Sequence, residues 1–208
     1  MFGTKVLEER ESKFNGHLRV VKSLGLGTYI QANGLTQSGG VVVSMWRQTL
    51  KRIGYRKKKI VNCLILGYGG GTVSQILLQN QPDIKITGVD IDKDIVDLGK
   101  KYLKSSNNVK IVIGDVLTYV KNYSLSTKRY DLIIVDLYNG DQFPKKFETI
   151  GFLRMIRPRL AEAGIVIFNR LYFKDKKIEA EKFGNKLKVV FKNVEYYKPI
   201  TNLMFICS

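Results

Sequence analysis

Three short apolar runs of this chain lead into a carboxylate, at Asp90, Asp115 and Asp136, and a fourth leads into a glycine turn, Gly67-Tyr-Gly-Gly-Gly71. Glycines let a backbone turn tightly and lie against a ligand without Cβ clashes. An acid at the tip of the next strand can accept both hydroxyls of a ribose. Asp90 follows the turn at about the 20-residue spacing that this arrangement needs within one βαβ unit. The pattern is that of a nucleoside cradle. Asp136 has a different use open to it. A carboxylate at the end of an apolar strand, beside such a cradle, can take a proton from a reacting group or stabilise positive charge on it.

Stepping outward to the elements that must hold these groups, the sequence from Lys59 onward alternates β-branched apolar runs with longer amphipathic segments, the pattern of a parallel sheet covered by helices. Strands are expected at 60–66, 84–90, 109–113, 130–137 and 165–169. Helices are expected at 71–80, 92–103, 116–123 and 146–161, with Gly164 ending the last of these, and a further helix at 178–190. Two closing runs, 194–198 and 202–207, flank Pro199 and should pair as an antiparallel hairpin at the sheet edge. Ahead of the sheet, Leu18–Lys22, Gly27–Gln31 and Gly39–Val43 read as short strands joined by tight turns, one of them Asn33-Gly34. Met45–Ile53 reads as a helix and Arg56–Lys59 as a basic linker. The division is a small β region over 1–52 and a nucleoside-binding domain over 53–208.

Composition narrows the function. No apolar run approaches the roughly 20 residues of a bilayer span, and the first ten residues are charged rather than signal-like, so a cytoplasmic protein without a membrane partner is expected. The two cysteines stand inside apolar runs with no Cys/His cluster, and no metal is expected. The single histidine, His17, falls in the β region as a strand residue. The net charge of +17 suits nucleic acid or other polyanions, although no aromatic-rich RNA-recognition signature accompanies it.

The core layout of five strands and a closing hairpin resembles the class I S-adenosylmethionine-dependent transferases. That resemblance implies a Rossmann-like mixed seven-stranded sheet of order 3-2-1-4-5-7-6, helices on both faces, and one reversed strand. Leu64-Ile-Leu-Gly-Tyr-Gly-Gly-Gly-Thr72, Val89-Asp-Ile-Asp-Lys-Asp-Ile-Val96, Ile113-Gly-Asp115 and Tyr130-Asp-Leu-Ile-Ile-Val-Asp136 follow one another in an order that resembles, more narrowly, the spermidine synthase (polyamine aminopropyltransferase) family. Asn33-Gly-Leu-Thr-Gln37 stands where that family closes its small N-terminal β domain with an Asp-Gly-x-x-Gln turn.

The resemblance implies roles. Gly67, Gly69, Gly70 and Gly71 would pass under the thioether side of S-adenosylmethionine or its decarboxylated form. Asp90 and Ile91 would take the ribose, and Gly114, Asp115 and Val116 the adenine. Asp136 would deprotonate an attacking amine, with Asn139 and Asp141 as further catalytic candidates and Gln37 and Tyr138 as gate residues. A small-molecule amine acceptor and a homo-oligomer, a dimer, are implied as partners.

Two departures bear on the acceptor. The family places a second acid three residues after its catalytic one, and here that position is Asn139. Its Tyr-x-Glu-x-x-x-His stretch is replaced by Val43-Ser-Met-Trp-Arg-Gln-Thr-Leu50, which brings Arg47 near the place of an acid. Asparagine hydrogen-bonds an amine without neutralising it. Two alternatives therefore stand beside aminopropyl transfer. One is a methyltransferase acting on a small molecule or RNA; the other is a non-catalytic nucleoside- or RNA-binding protein.

Overall fold

The computed structural model describes residues 3–105, 108–122 and 128–208. An antiparallel meander opens the chain: β1 (Thr4–Ser12), β2 (Gly16–Ser23), β3 (Gly27–Ala32) and β4 (Leu35–Gly39), paired in that order. Asn33 and Gly34 both take positive φ, 48° and 82°, as a two-residue hairpin turn between twisted strands requires. β1 was not anticipated. Its run Thr-Lys-Val-Leu-Glu-Glu-Arg-Glu-Ser is mostly charged, and ion pairs such as Arg10 with Glu8 at 2.8 Å and Arg19 with Glu9 at 2.8 Å accompany its pairing with β2.

The expected strand over Gly39–Val43 is corrected. The chain turns at Gly39 and enters α1 (Gly40–Arg52), so Val41–Val43 form its first turn. Gly39 has φ of 75°, and a Cβ there would lie 2.5 Å from the Thr28 carbonyl oxygen. The sharp exit from β4 thus overrides the β preference of three valines.

The remaining strands are β5 (Asn62–Leu66), β6 (Lys85–Asp90), β7 (Val109–Ile113), β8 (Tyr130–Val135), β9 (Leu160–Leu171), β10 (Val194–Tyr197) and β11 (Asn202–Cys207). They form one sheet of order β10-β11-β9-β8-β5-β6-β7, the order expected, with β11 antiparallel to both neighbours and the hairpin at the edge. Between the strands lie α2 (Thr72–Asn80), α3 (Lys93–Leu103), α4 (Val116–Asn122), α5 (Ile150–Ile156) and α6 (Lys176–Val190). Tyr123, the expected end of α4, lies outside the described residues.

The single helix expected over 146–161 is also corrected. A 3-10 turn at Lys145–Glu148, α5 capped by the Thr149 hydroxyl, and a second 3-10 turn at Arg157–Arg159 containing Pro158 replace it. Leu160 and Ala161 already belong to β9. Gly164 ends no helix: it lies inside β9, where a Cβ would come 2.8 Å from the Tyr130 carbonyl oxygen.

Strand side chains alternate between two cores, as a period of two dictates. Cys63 and Ile65 face a cluster built from α1, α2, α3 and the meander, including Trp46, Ile76, Ile95 and Ile30. Leu64 and Leu66 face a second cluster built from α4, α5 and α6, including Val120, Phe152 and Phe183. The meander is therefore packed onto the same face as the first three helices. Its tie to the large sheet is polar as well. The Ser12 hydroxyl and the Asn15 amide donate to the Asp92 carboxylate at 2.5 and 2.6 Å, and Asp92 also caps α3 by accepting from Asp94 N–H.

Candidate active site

Strand register explains how the site is assembled. Leu66, Val89, Val135 and Phe168 are lateral neighbours across β5, β6, β8 and β9, and all four point into the second core. The next residue of each strand must then point to the opposite face. Those residues are Gly67, Asp90, Asp136 and Asn169, so a glycine, two acids and an amide stand in one line at the carboxyl ends of parallel strands. That face is the one covered by α1 and the meander. A cavity of about 450 Å³ lies between them.

Gly67 is the tightest point of this line. Its φ is 87°, and a Cβ would lie 1.9 Å from the Asp136 carbonyl oxygen. Only a residue without a side chain lets the β5 turn and the end of β8 approach this closely. Gly67 and Gly69 line the cavity, whereas Gly70 and Gly71 do not. Gly70 donates its N–H to the Ser38 hydroxyl of β4 at 2.8 Å, and a Cβ at Gly99 of α3 would meet Gly70 backbone at 2.4 Å. Gly71 takes the left-handed cap position of α2. Half of the glycine run therefore shapes the cavity and half packs the elements behind it. Tyr68 lies in the core, with its ring against Gly88 and its hydroxyl 3.0 Å from Ser74 Oγ.

Asp90 is buried at the end of β6, lines the cavity with Ile91, and accepts N–H groups from Gly69 at 2.7 Å and Asp92 at 2.9 Å. Burial outweighs these donors and pushes its carboxyl up to about 6. One acceptor position on each oxygen is already used, which leaves lone pairs free for further donors. Asp115, after β7, also lines the cavity together with Val116; Gly114 does not. Asp115 accepts from Thr118 N–H at 3.0 Å, the capping geometry for α4, and pairs with the Lys146 ammonium. Burial raises its carboxyl, but Lys146 and Thr118 outweigh that and hold it below the usual range.

Asp136 is gripped from both sides. Asn169 Nδ2 donates to one oxygen at 2.8 Å, and Trp46 Nε1, from α1, donates to the other at 3.3 Å. Asn169 is itself oriented by Asn202 of β11, whose amide donates to its oxygen at 2.8 Å. Burial pushes the Asp136 carboxyl up to about 6, against the two donors, with the Asp90 charge adding to the rise. Neutral donors thus hold this carboxylate in place while burial raises its proton affinity.

The loop after β8 closes one wall. The Tyr138 hydroxyl accepts from Leu171 N–H at 2.6 Å and donates to the Asn169 carbonyl at 3.3 Å, while its ring packs edge-on against Phe143. Burial raises its hydroxyl well above the ordinary value. Gln37 of β4 reaches across from the meander and donates to the Gly140 carbonyl at 3.1 Å, joining the two walls. Asn139 lines the cavity, with its backbone paired to Gln142. Asp141 is not among the lining residues. The turn at Gly140 places it at the loop tip, 3.6 Å from the Lys176 ammonium. Below the loop, Glu148 and Arg170 form a buried pair at 2.8 Å, and the guanidinium lies 4.2 Å from the Phe143 ring centre.

Some of this was not readable from spacing. Trp46 lines the cavity and donates a hydrogen bond to Asp136, whereas Tyr55 and Tyr29 do not line it. Asn169 and Asn202 gave no sequence signal, because their positions follow from strand order, and Lys146 gave none because it meets Asp115 from a 3-10 turn 31 residues away. Arg47 is exposed and outside the lining, and His17 lies on β2 beside Glu11 at 2.7 Å. Among the described residues no cluster of three or more His, Cys, Asp or Glu able to hold a metal is present, and no helix is long and apolar enough to cross a membrane.

Comparison with known proteins places this chain in a family. Residues 48–203 match the family model of the spermine/spermidine synthase domain. The polyamine aminopropyltransferase of Vibrio vulnificus (strain CMCP6) is 31% identical over 108 residues, covering 51% of this chain and 36% of the relative. That of Hydrogenobaculum sp. (strain Y04AAS1) is 28% identical over 171 residues, covering 79% of this chain and 60% of the relative. The chain thus spans less than two thirds of the length of these curated relatives. The crystal structure of spermidine synthase from Thermotoga maritima superposes with a TM-score of 0.77 at 16% identity, over 97% of this chain and 72% of that one, a likeness of fold. Because the family match takes in most of the chain, including the strand ends at Gly67, Asp90, Asp136 and Asn169, the chain belongs to the spermine/spermidine synthase family.

Proposed function

We propose that this protein binds decarboxylated S-adenosylmethionine and transfers its aminopropyl group to an amine, with Asp136 as the base. One observation carries the choice of donor. Of the described residues lining the cavity, Lys146 is the only cation, and it is paired with Asp115. Intact S-adenosylmethionine carries a carboxylate that would meet Asp90 and Asp136 with no free cation to receive it, whereas the decarboxylated form brings no such anion into the cavity. The cradle also suits the nucleoside. Gly67 and Gly69 leave room for close approach, and Asp90 keeps lone pairs for the ribose hydroxyls. Adenine would lie toward Asp115 and Val116.

When bound, the donor supplies an electrophilic carbon next to a sulfonium. The residues of this chain handle the nucleophile. An amine of pKa about 10.4 is protonated at neutral pH and cannot attack until it loses a proton. Asp136 accepts that proton; the nitrogen lone pair forms the new C–N bond, and the C–S bond pair returns to sulfur, leaving neutral methylthioadenosine. Trp46 and Asn169 keep the carboxylate aimed while its charge changes. Gln37, Tyr138 and Asn139 form the walls through which the amine enters.

Calorimetric titration with the decarboxylated and intact ligands tests this reading. Tenfold or stronger preference for the decarboxylated form, about 1.4 kcal/mol, is expected. Preference for the intact form would move the assignment to methyl transfer, and binding of neither would overturn the enzyme reading.

A further inference from the structure

Along the rim of the large sheet the functional side chains change character at one point. From β7 to β8 they are acids, Asp115, Asp90 and Asp136; beyond β8, at the ends of β9 and β11, they are amides, Asn169 and Asn202. The loop over this second half adds Asn139 and the facing β4 adds Gln37, both neutral. The acids nearest to it are engaged elsewhere: Asp141 stands outside the lining with Lys176, and Glu148 is buried against Arg170. The acceptor half of the cavity therefore offers a single carboxylate, Asp136. The cavity also has apolar lining. Leu35, Val41 and Ile200 are 38%, 46% and 49% exposed, yet all three line the cavity, together with Met45 and Phe173. Ile200 holds a φ of 55°, a left-handed backbone that β-branched residues rarely adopt.

We infer that the acceptor is a monoamine with an apolar body, not a diamine or polyamine; this rests on the aminopropyl-transfer reading of the site and names the class of amine that it serves. One ammonium finds one carboxylate. A second ammonium would be stripped of water among amides and alkyl groups, without a counter-charge. An alkyl or aryl body would instead cover the exposed Leu35, Val41 and Ile200. The step is the one already balanced above: one amine proton passes to Asp136, one C–N bond forms, and one C–S bond breaks.

The test uses the whole chain with decarboxylated S-adenosylmethionine as donor and hexylamine, phenethylamine and putrescine as acceptors. It follows methylthioadenosine release and product mass. A parallel calorimetric arm titrates the same amines into protein saturated with methylthioadenosine. The expected result is kcat/KM at least tenfold higher for a monoamine than for putrescine, with the same order in binding. Asn139→Asp, at an exposed position, should restore a second charge and shift the ratio toward putrescine by tenfold or more. Tenfold preference for putrescine by the unaltered protein overturns the inference and leaves aminopropyl transfer standing. Turnover of no amine overturns the transfer reading itself, and the calorimetric arm then decides the ligand class: tighter binding of putrescine, or binding of no amine, overturns the inference too.

Discussion

At the scale of single residues, the site turns on a carboxylate whose proton affinity is raised by burial and restrained by two donors. Asp136 acting as a base must be ionised, so kcat/KM should fall as pH drops through about 6, the position to which burial moves this group. A flat profile between pH about 5 and about 7.5 would remove Asp136 from that role. Replacing Trp46 by Phe deletes a donor that favours the charged form. The acid limb should then move to higher pH, whereas a purely structural tryptophan would change stability without moving it. Asp136→Asn should lower kcat/KM by about 10²- to 10⁴-fold, the usual worth of a positioned base, while donor binding measured by calorimetry persists. Asp90 and Asp136 were legible because each ends an apolar run, and Asp90 also keeps the spacing from the glycine turn that a βαβ cradle requires. Asn169 was not. It lies 33 residues from Asp136 in sequence, and only the β8–β9 register makes it a partner.

At the scale of elements, the sequence discloses strands of the large sheet better than the connections around it. Buried parallel strands read as continuous apolar runs, and the family resemblance implied their order. The meander and the segment 145–161 depend on tertiary contacts that local pattern does not encode. Val41–Val43 become helical because the chain must leave β4 at Gly39, and Leu160 joins β9 because Pro158 and the Thr149 cap break the expected helix into short pieces. The same physics separates two glycines that look alike in sequence. Gly67→Ala sets a Cβ against the Asp136 carbonyl in a left-handed backbone, and should cost about 2–5 kcal/mol of stability in urea denaturation. Gly114→Ala meets no atom within 4 Å and should stay within about 0.5 kcal/mol of the parent. Asp92→Ala removes the α3 cap and the acceptor for the Ser12 and Asn15 side chains, so a loss of about 2–4 kcal/mol is expected by the same measurement.

At the scale of the whole molecule, the proposed reaction sets a chain of net charge +17 to work on a donor and an acceptor that are themselves cations. The field far from the surface opposes their approach, while Asp90 and Asp136 attract them once they are inside the cavity. The two regimes are separated by the screening length, about 8 Å at physiological ionic strength. Added salt shortens the reach of the repulsion more than it weakens attraction between groups in close contact within a partly dry site. Raising KCl from about 50 to about 300 mM should therefore increase kcat/KM for a cationic amine, by roughly twofold to tenfold. The slope has the opposite sign to that of a polyanion ligand, whose binding to a basic surface weakens steeply with salt. A stopped assay across that range separates the two. A rate that falls with salt would mean that the Asp90 and Asp136 attraction dominates even at long range, and that the basic residues lie too far from the cavity mouth to govern entry.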